Sequence, residues 1–482
     1  MTTTSETILK NTARHCRELG IVVPTFAQLK EPSGADAPLM ERLGGTGLSD
    51  PDPANLFRIT WKNESVPEGG AFNGGNWIEF PTELTGVPAR IVGLVGKHFP
   101  TGCHKVGAAF GCLVPRLISG EFDPTRHKAV WPSTGNFCRG GVFVGSLLGC
   151  QSIAILPEEM SAERFRWLES AGAEIIATPG GESNVKEIYD EVRTIRDTRP
   201  ECVIFNQFEE FGNAAWHYHV TGAVVDEIFD RIAGPSDRLA AFVSATGSAG
   251  TLATGDYLRT LHPSLRVVAV EALQCPTLLR CGFGEHRIEG IGDKHIPWIH
   301  NVRNTDAVVA VDDEQCLALM RLFAEPVGRD HLLSHGVPSD SVEALDLLGI
   351  SSICNLVAAI KVARYFELNS RDVLFVPLTD SMEMYGSRVE ERRSSHGAYG
   401  EPTAAADFAR HLAGIGTDNM RELGYHDRKA IHNLKYFTWI EQQGRHVDEL
   451  DRLWDPDFWT ETYAQVEEWD RQIIDFNAQV GL

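Results

Sequence analysis

Three stretches, far apart in the chain, hold residue types that can work on one molecule together. Pro100-Thr101-Gly102-Cys103-His104-Lys105 presents an amine in a Gly-bearing turn and runs into Val106-Gly107-Ala108-Ala109-Phe110, an apolar helix of small residues. A charge at the start of a buried helix is costly unless it is used, and an amine in a confined apolar site loses enough basicity to attack a carbonyl. Ser133-Thr134-Gly135-Asn136 follows a strand-like run and precedes Arg139-Gly140-Gly141. Its hydroxyls and the free N–H groups of a helix start favour an anion. Thr246-Gly247-Ser248-Ala249-Gly250-Thr251 lies between the apolar run ending at Val243 and a helical stretch, and is small enough for successive N–H groups to converge on a phosphate. No Gly-Lys-Ser/Thr follows it, and it lacks the G-x-G-x-x-G spacing, so it is neither a P-loop nor a dinucleotide fingerprint. Together the three stretches can hold a phosphorylated aldehyde, covalently at Lys105 and by its phosphate at 246–251.

The elements needed to position them follow from hydrophobic periodicity. Short apolar runs predict strands at 129–131, 152–156, 173–177 and 203–205, with helices at 140–148, 162–171 and 185–196 between them. A second series predicts strands at 239–243, 266–271, 307–311 and 373–376, with helices from 251 and over 349–366. Such alternation predicts an α/β fold with parallel sheets flanked by helices. Residues 391–482 differ: they are charged, Trp-bearing and helical in period. Trp439, Trp454, Trp459 and Trp469, with Leu450, Leu453, Ile473 and Ile474, are expected to dock on the body or a second subunit.

A chain of 482 residues with 43% hydrophobic content exceeds one ordinary domain, and a net charge of −22 opposes nucleic-acid binding. The ten cysteines form no CxxC pair, His217-Tyr218-His219 reads as packing, and no metal site is expected. No stretch reaches the roughly 18 apolar residues of a membrane span, and the first residues carry no signal-peptide pattern. A reducing, cytoplasmic setting without a membrane partner is expected.

In their order and residue types these motifs resemble the fold-type II pyridoxal-phosphate enzymes, in the cysteine synthase and cystathionine β-synthase branch of the tryptophan synthase β superfamily. Further landmarks are Asn206-Gln207-Phe208, Asn213, Thr221-Gly222, Glu289-Gly290-Ile291-Gly292 with Ile296-Pro297, and Gly349-Ile350-Ser351-Ser352. The resemblance covers about residues 75–390. Ser248 and Ala249 depart from the family's Gly-Thr-Gly-Gly-Thr loop, Phe137 stands where many cysteine synthases carry Thr or Met, and Asp293 and Lys294 replace small residues.

The resemblance implies pyridoxal 5′-phosphate bound by Lys105 as a Schiff base. Thr246, Gly247, Ser248, Ala249, Gly250 and Thr251 would hold its phosphate, with Gly290 lining it and Asn136 touching its phenolic oxygen. Ser133, Thr134, Gly135, Asn136 and Gln207 would hold the substrate α-carboxylate. The pyridine-nitrogen partner would be Thr379 or Ser381, with Asp380 between them reading as a turn or cap residue. It further implies a large domain of residues 1–107 and 231–390 (with an N-terminal extension, 1–60), a small mobile domain of 108–230, and the helical extension 391–482. The expected activity is β-replacement or β-elimination on an amino acid with a leaving group at Cβ, with a tilt towards O-activated serine, in a homodimer. Two alternatives stay open: an ammonia-lyase or dehydratase of serine, threonine or diaminopropionate, and a catalytically degenerate partner subunit.

Overall fold

The computed structural model describes residues 3–34 and 36–482. Eleven strands form two sheets: β1 (Trp77–Phe80), β2 (Arg90–Val95), β3 (Lys128–Pro132), β4 (Gln151–Pro157), β5 (Glu174–Thr178), β6 (Cys202–Ile204), β7 (Arg238–Ala245), β8 (Arg266–Ala272), β9 (Ala307–Val311), β10 (Asp372–Leu378) and β11 (Met420–Glu422). The larger sheet has the order β1-β2-β10-β7-β8-β9-β11, and the smaller has the order β5-β4-β3-β6. The smaller sheet is wholly parallel. In the larger, only β1 and β11 run antiparallel to their neighbours. Strands β9 and β10 are buried along their whole length, which is why they read as unbroken apolar runs rather than alternating ones.

The observed elements match the predicted alternation, with three differences that matter. Strands β1 and β2 were not anticipated, because β1 has four residues and follows a Gly-rich loop that dominates the local pattern. The C-terminal stretch is not purely helical: β11 pairs with β9 through Met420 opposite Val309 and covers that edge of the sheet. The helix expected at 140–148 begins earlier, at Asn136, and runs to Leu147. Asn136 is therefore the first residue of a helix, where the 133–136 loop ends.

Small residues set how closely the helices around the lysine approach one another. The Lys105–Ser119 helix crosses the Phe211–Trp216 helix at Gly111 and Gly212. A Cβ at Gly111 would sit 2.2 Å from the Gly212 carbonyl oxygen, and one at Gly212 would sit 1.9 Å from the Gly111 oxygen. Only glycine permits that crossing.

The two chain ends close over the back of this helix pair. The helix Thr3–Leu19 packs against the 25-residue helix Pro456–Val480. Asp470 accepts from the N–H groups of Phe26 (2.7 Å) and Ala27 (3.1 Å), and Asn477 is bonded both ways to the Val23 backbone. Phe26 in turn meets Phe110 edge-on at 5.6 Å and Trp469 at 5.7 Å. Trp439 and Trp459 are buried and Trp454 and Trp469 half-buried, whereas Ile474, expected to dock, is 59% exposed. It falls on the outer face of a helix whose inner face is Val466, Ile473, Phe476 and Val480.

Candidate active site

Every stretch singled out by its chemistry lies beyond the carboxyl end of a parallel strand, where open α/β sheets expose loop N–H groups and helix starts. Lys105 follows β2, the 133–136 loop follows β3, the 246–251 loop follows β7, and Thr379 follows β10. Lys105, Ser133, Thr134, Asn136, Gln207, Gly247, Ser248 and Gly290 line one narrow cavity of about 10 Å³. Gly135, Thr246, Ala249, Gly250, Thr251, Thr379 and Ser381 are not among its lining residues.

Lys105 Nζ donates to Gln207 Oε1 at 3.2 Å and to Ser248 Oγ at 3.4 Å. Burial holds its amine below the ordinary lysine range, which favours the uncharged, nucleophilic form. Gln207 Nε2 donates to Ser133 Oγ at 3.1 Å, so one amide ties the lysine to the 133–136 loop. His104 is buried beside it, stacked on Trp61 at 5.5 Å and edge-on to His217 at 5.2 Å. Burial, aided by the neighbouring Lys105, pushes its imidazole down to about 3, so it packs as a neutral ring.

The 246–251 loop is built for an anion. Among the described residues the N–H groups of Gly247, Ser248 and Ala249 donate to no protein acceptor. Ala249 takes a left-handed conformation with φ 64°, and the turn Gly250–Leu252 opens the helix Ala253–Leu261. Asn213 Nδ2 anchors the loop by donating to Ser248 Oγ at 2.9 Å and the Gln207 carbonyl at 3.0 Å. A Cβ at Gly250 would lie 2.2 Å from Asn213 Oδ1. Free donors facing a cavity beside an amine of lowered basicity fit a phosphorylated aldehyde in both charge and chemistry.

Beneath the 133–136 loop lies a charged network that sequence reading missed. Gly135 has φ 143°, and a Cβ there would meet Arg164 Cδ at 2.5 Å. Arg164 is fully buried, donating to Glu289 Oε2 at 2.6 Å and to the Thr134 carbonyl at 3.2 Å. Burial opposes its charge, yet Glu289, Tyr385, Glu182 and Asp380 together hold the proton more firmly than usual. Asp380 is not a turn or cap residue. Its Oδ2 accepts from Asn136 Nδ2 at 2.7 Å and Tyr385 Oη at 2.9 Å, and lies 4.0 Å from Arg164. Arg139 donates to Asn136 Oδ1 at 3.1 Å, leaving Asn136 one N–H free. Thr379 and Ser381 are both buried, and Ser381 Oγ has no partner among the described residues.

Residues 96–330 match the family of pyridoxal-phosphate-dependent enzymes. Residues 96–330 carry that family's domain, on the fold-type II architecture. The chain is 28% identical over 230 residues to a probable cysteine synthase of Bacillus subtilis, covering 48% of this chain and 72% of that protein. It is 28% identical over 289 residues to the cysteine synthase of Staphylococcus aureus, covering 59% of this chain and 84% of that one. Among solved structures, a hydrogen sulfide-producing enzyme from Fusobacterium nucleatum superposes with a TM-score of 0.55 at 20% identity, over 64% of this chain and 96% of the other. That likeness speaks for the fold alone.

The chain also carries two carboxyls at its cavity wall, Glu182 and Asp293. Glu182 sits in the turn before the helix Val185–Thr198, where Gly180-Gly181 reads as an ordinary loop. Nothing local marks it. Asp293 was visible only as a departure from small residues. Glu182 also borders a larger outer cleft of about 630 Å³, shared with Arg388, Glu391 and His286.

Proposed function

We propose that the chain catalyses β-replacement or β-elimination on an amino acid carrying a leaving group at Cβ. The observation that carries this reading is the meeting of Lys105, the 133–136 loop and the 246–251 loop at one cavity. Lys105 would hold the cofactor through its amine and, once freed, would act as the base that takes the α-proton. When bound, the cofactor supplies a sink for the electrons released at Cα. Gly247, Ser248 and Ala249 offer N–H groups to its phosphate, with Thr246, Gly250 and Thr251 shaping the loop. Gly290 lines it, Asn136 offers its free N–H to the ring oxygen, and Thr379 or Ser381 offers a hydroxyl to the ring nitrogen.

Ser133, Thr134, Gly135 and Asn136 receive the substrate carboxylate, assisted by Gln207. The carboxylate lies at the start of the helix Asn136–Leu147, and charged Arg164 lies beneath the loop. Residues 108–230, which contain the smaller sheet, act as a small mobile domain closing on residues 1–107 and 231–390, while 391–482 forms the helical extension. The reading includes a homodimer in the cytoplasm, supported by the family resemblance and by ten cysteines free of disulfides. No helix among the described residues is long and apolar enough to cross a membrane. Sedimentation tests the dimer.

The purified protein is expected to be yellow. Lys105→Ala is expected to lose both the borohydride-fixed cofactor adduct and turnover, and an adduct retained at another lysine overturns the assignment. A screen of amino acids with product analysis then separates replacement, which needs a second substrate, from elimination, which releases a 2-oxo acid and ammonia alone. A colourless protein that turns over none of them would instead mark a degenerate partner subunit.

A further inference from the structure

Glu289 and Asp293, four residues apart, are both buried carboxyls, but they are treated oppositely. Glu289 is saturated by Arg164 at 2.6 Å, Arg388 at 2.5 Å and the Ser161 N–H at 3.4 Å. Asp293 is 6% exposed and forms no ion pair among the described residues, and its Oδ2 has no partner at all. Its backbone is fixed, since Thr277 Oγ1 donates to the Asp293 carbonyl at 2.7 Å. Its side chain stands at the wall of the cavity that holds Lys105. A buried carboxyl with an empty oxygen is costly unless it keeps its proton or meets a ligand. Burial first, then Glu182, hold that proton well above the usual carboxylate range, while Lys105 pulls the other way.

We propose that Asp293 is the general acid that protonates the departing oxygen at Cβ, so that the natural substrate is a β-hydroxy amino acid with an unactivated hydroxyl. The proposal rests on the β-replacement or β-elimination reading above. Hydroxide is a poor leaving group and departs only as water, whereas a carboxylate ester leaves without a proton. In the step, the Cα–H bond breaks and its proton passes to Lys105 Nζ. Its electron pair forms the second bond between Cα and Cβ. The Cβ–O bond breaks with its pair on oxygen, which takes the Asp293 proton and leaves as water. Lys105 is now an ammonium and Asp293 a carboxylate, and return of one proton from the first to the second restores both. Asp293 thus works on the same proton cycle as the lysine.

The test assays the holoenzyme on L-serine and O-acetyl-L-serine. In Asp293→Asn the ratio of kcat/KM for serine over O-acetylserine is expected to fall at least a hundredfold. The alkaline fall of the serine kcat profile, where the acid loses its proton, is expected to vanish with it. Glu182→Gln, which removes a neighbour that raises the Asp293 proton affinity, is expected to move that fall to lower pH. Independently of turnover, the infrared difference spectrum of cofactor-free wild type minus Asp293→Asn near pH 7 is expected to show a carboxylic-acid C=O band, apart from those that buried carboxyls such as Glu182 give in both proteins. An unchanged substrate ratio, an absent band, or a wild type that uses O-acetylserine and refuses serine overturns the proposal. A wild type inactive on every β-substituted amino acid defeats the functional reading itself, and is seen before any variant is made.

Discussion

Gly250 and Asn213 show how one missing methyl group can hold a binding loop. Because a Cβ at Gly250 would fall 2.2 Å from Asn213 Oδ1, Gly250→Ala must push Asn213 off Ser248. Cofactor affinity, read by absorbance titration, is expected to fall at least tenfold while the melting temperature of the cofactor-free protein changes little. Glu182 makes a second case. Burial lifts its carboxyl from 4.5 to about 8, so the folded chain keeps a proton that the unfolded chain gives up earlier. Its contribution to stability is full below about pH 4.5 and is lost as pH rises through about 8. Thermal melts of the cofactor-free protein are therefore expected to decline more steeply over that window in wild type than in Glu182→Gln.

At the scale of elements, the C-terminal extension braces the segment that carries Asp293. Lys435 is fully buried and donates to the carbonyls of Trp298 (2.9 Å) and His300 (2.8 Å). Trp439 Nε1 donates to the Ile296 carbonyl at 2.8 Å and its ring contacts His295 at 5.8 Å. Burial alone drives the Lys435 amine well below its ordinary value, so these bonds come from a largely desolvated group. Lys435→Met strips two buried carbonyls of their donor and is expected to cost about 2–6 kcal/mol in denaturant unfolding, since each such loss costs about 1–3 kcal/mol. An unfolding midpoint equal to wild type would mean that the brace is dispensable.

For the whole molecule, the first and last helices form one unit. Removing residues 456–482 takes away Trp469 and the Asp470 and Asn477 bonds to 23–27. It also uncovers Leu9, Ala13 and Phe26, which are buried in the intact protein. The truncated protein is expected to aggregate or to melt well below the full chain. A monodisperse truncated protein with unchanged melting and activity would show the clasp to be without consequence.

What could be read directly was local. The strand-and-helix alternation, the Gly-bearing turn before Lys105 and the small-residue loop at 246–251 follow from periodicity and backbone sterics within a few neighbours. These stretches do meet at one cavity. Arg164 looks from its helix like an ordinary charged residue, because nothing within four positions shows that Glu289, far along the chain, will pair with it. Asp380 read as a turn residue for a related reason: its partner Asn136 lies far back in the chain, and only the fold turns the nearby Tyr385 hydroxyl onto the same oxygen. The raised proton affinity of Asp293 depends on burial and on Glu182, which lies far back in the chain between β5 and the helix Val185–Thr198. Local periodicity determines where elements form, but a buried side chain's charge is set by neighbours distant in sequence. Only the tertiary structure brings those together.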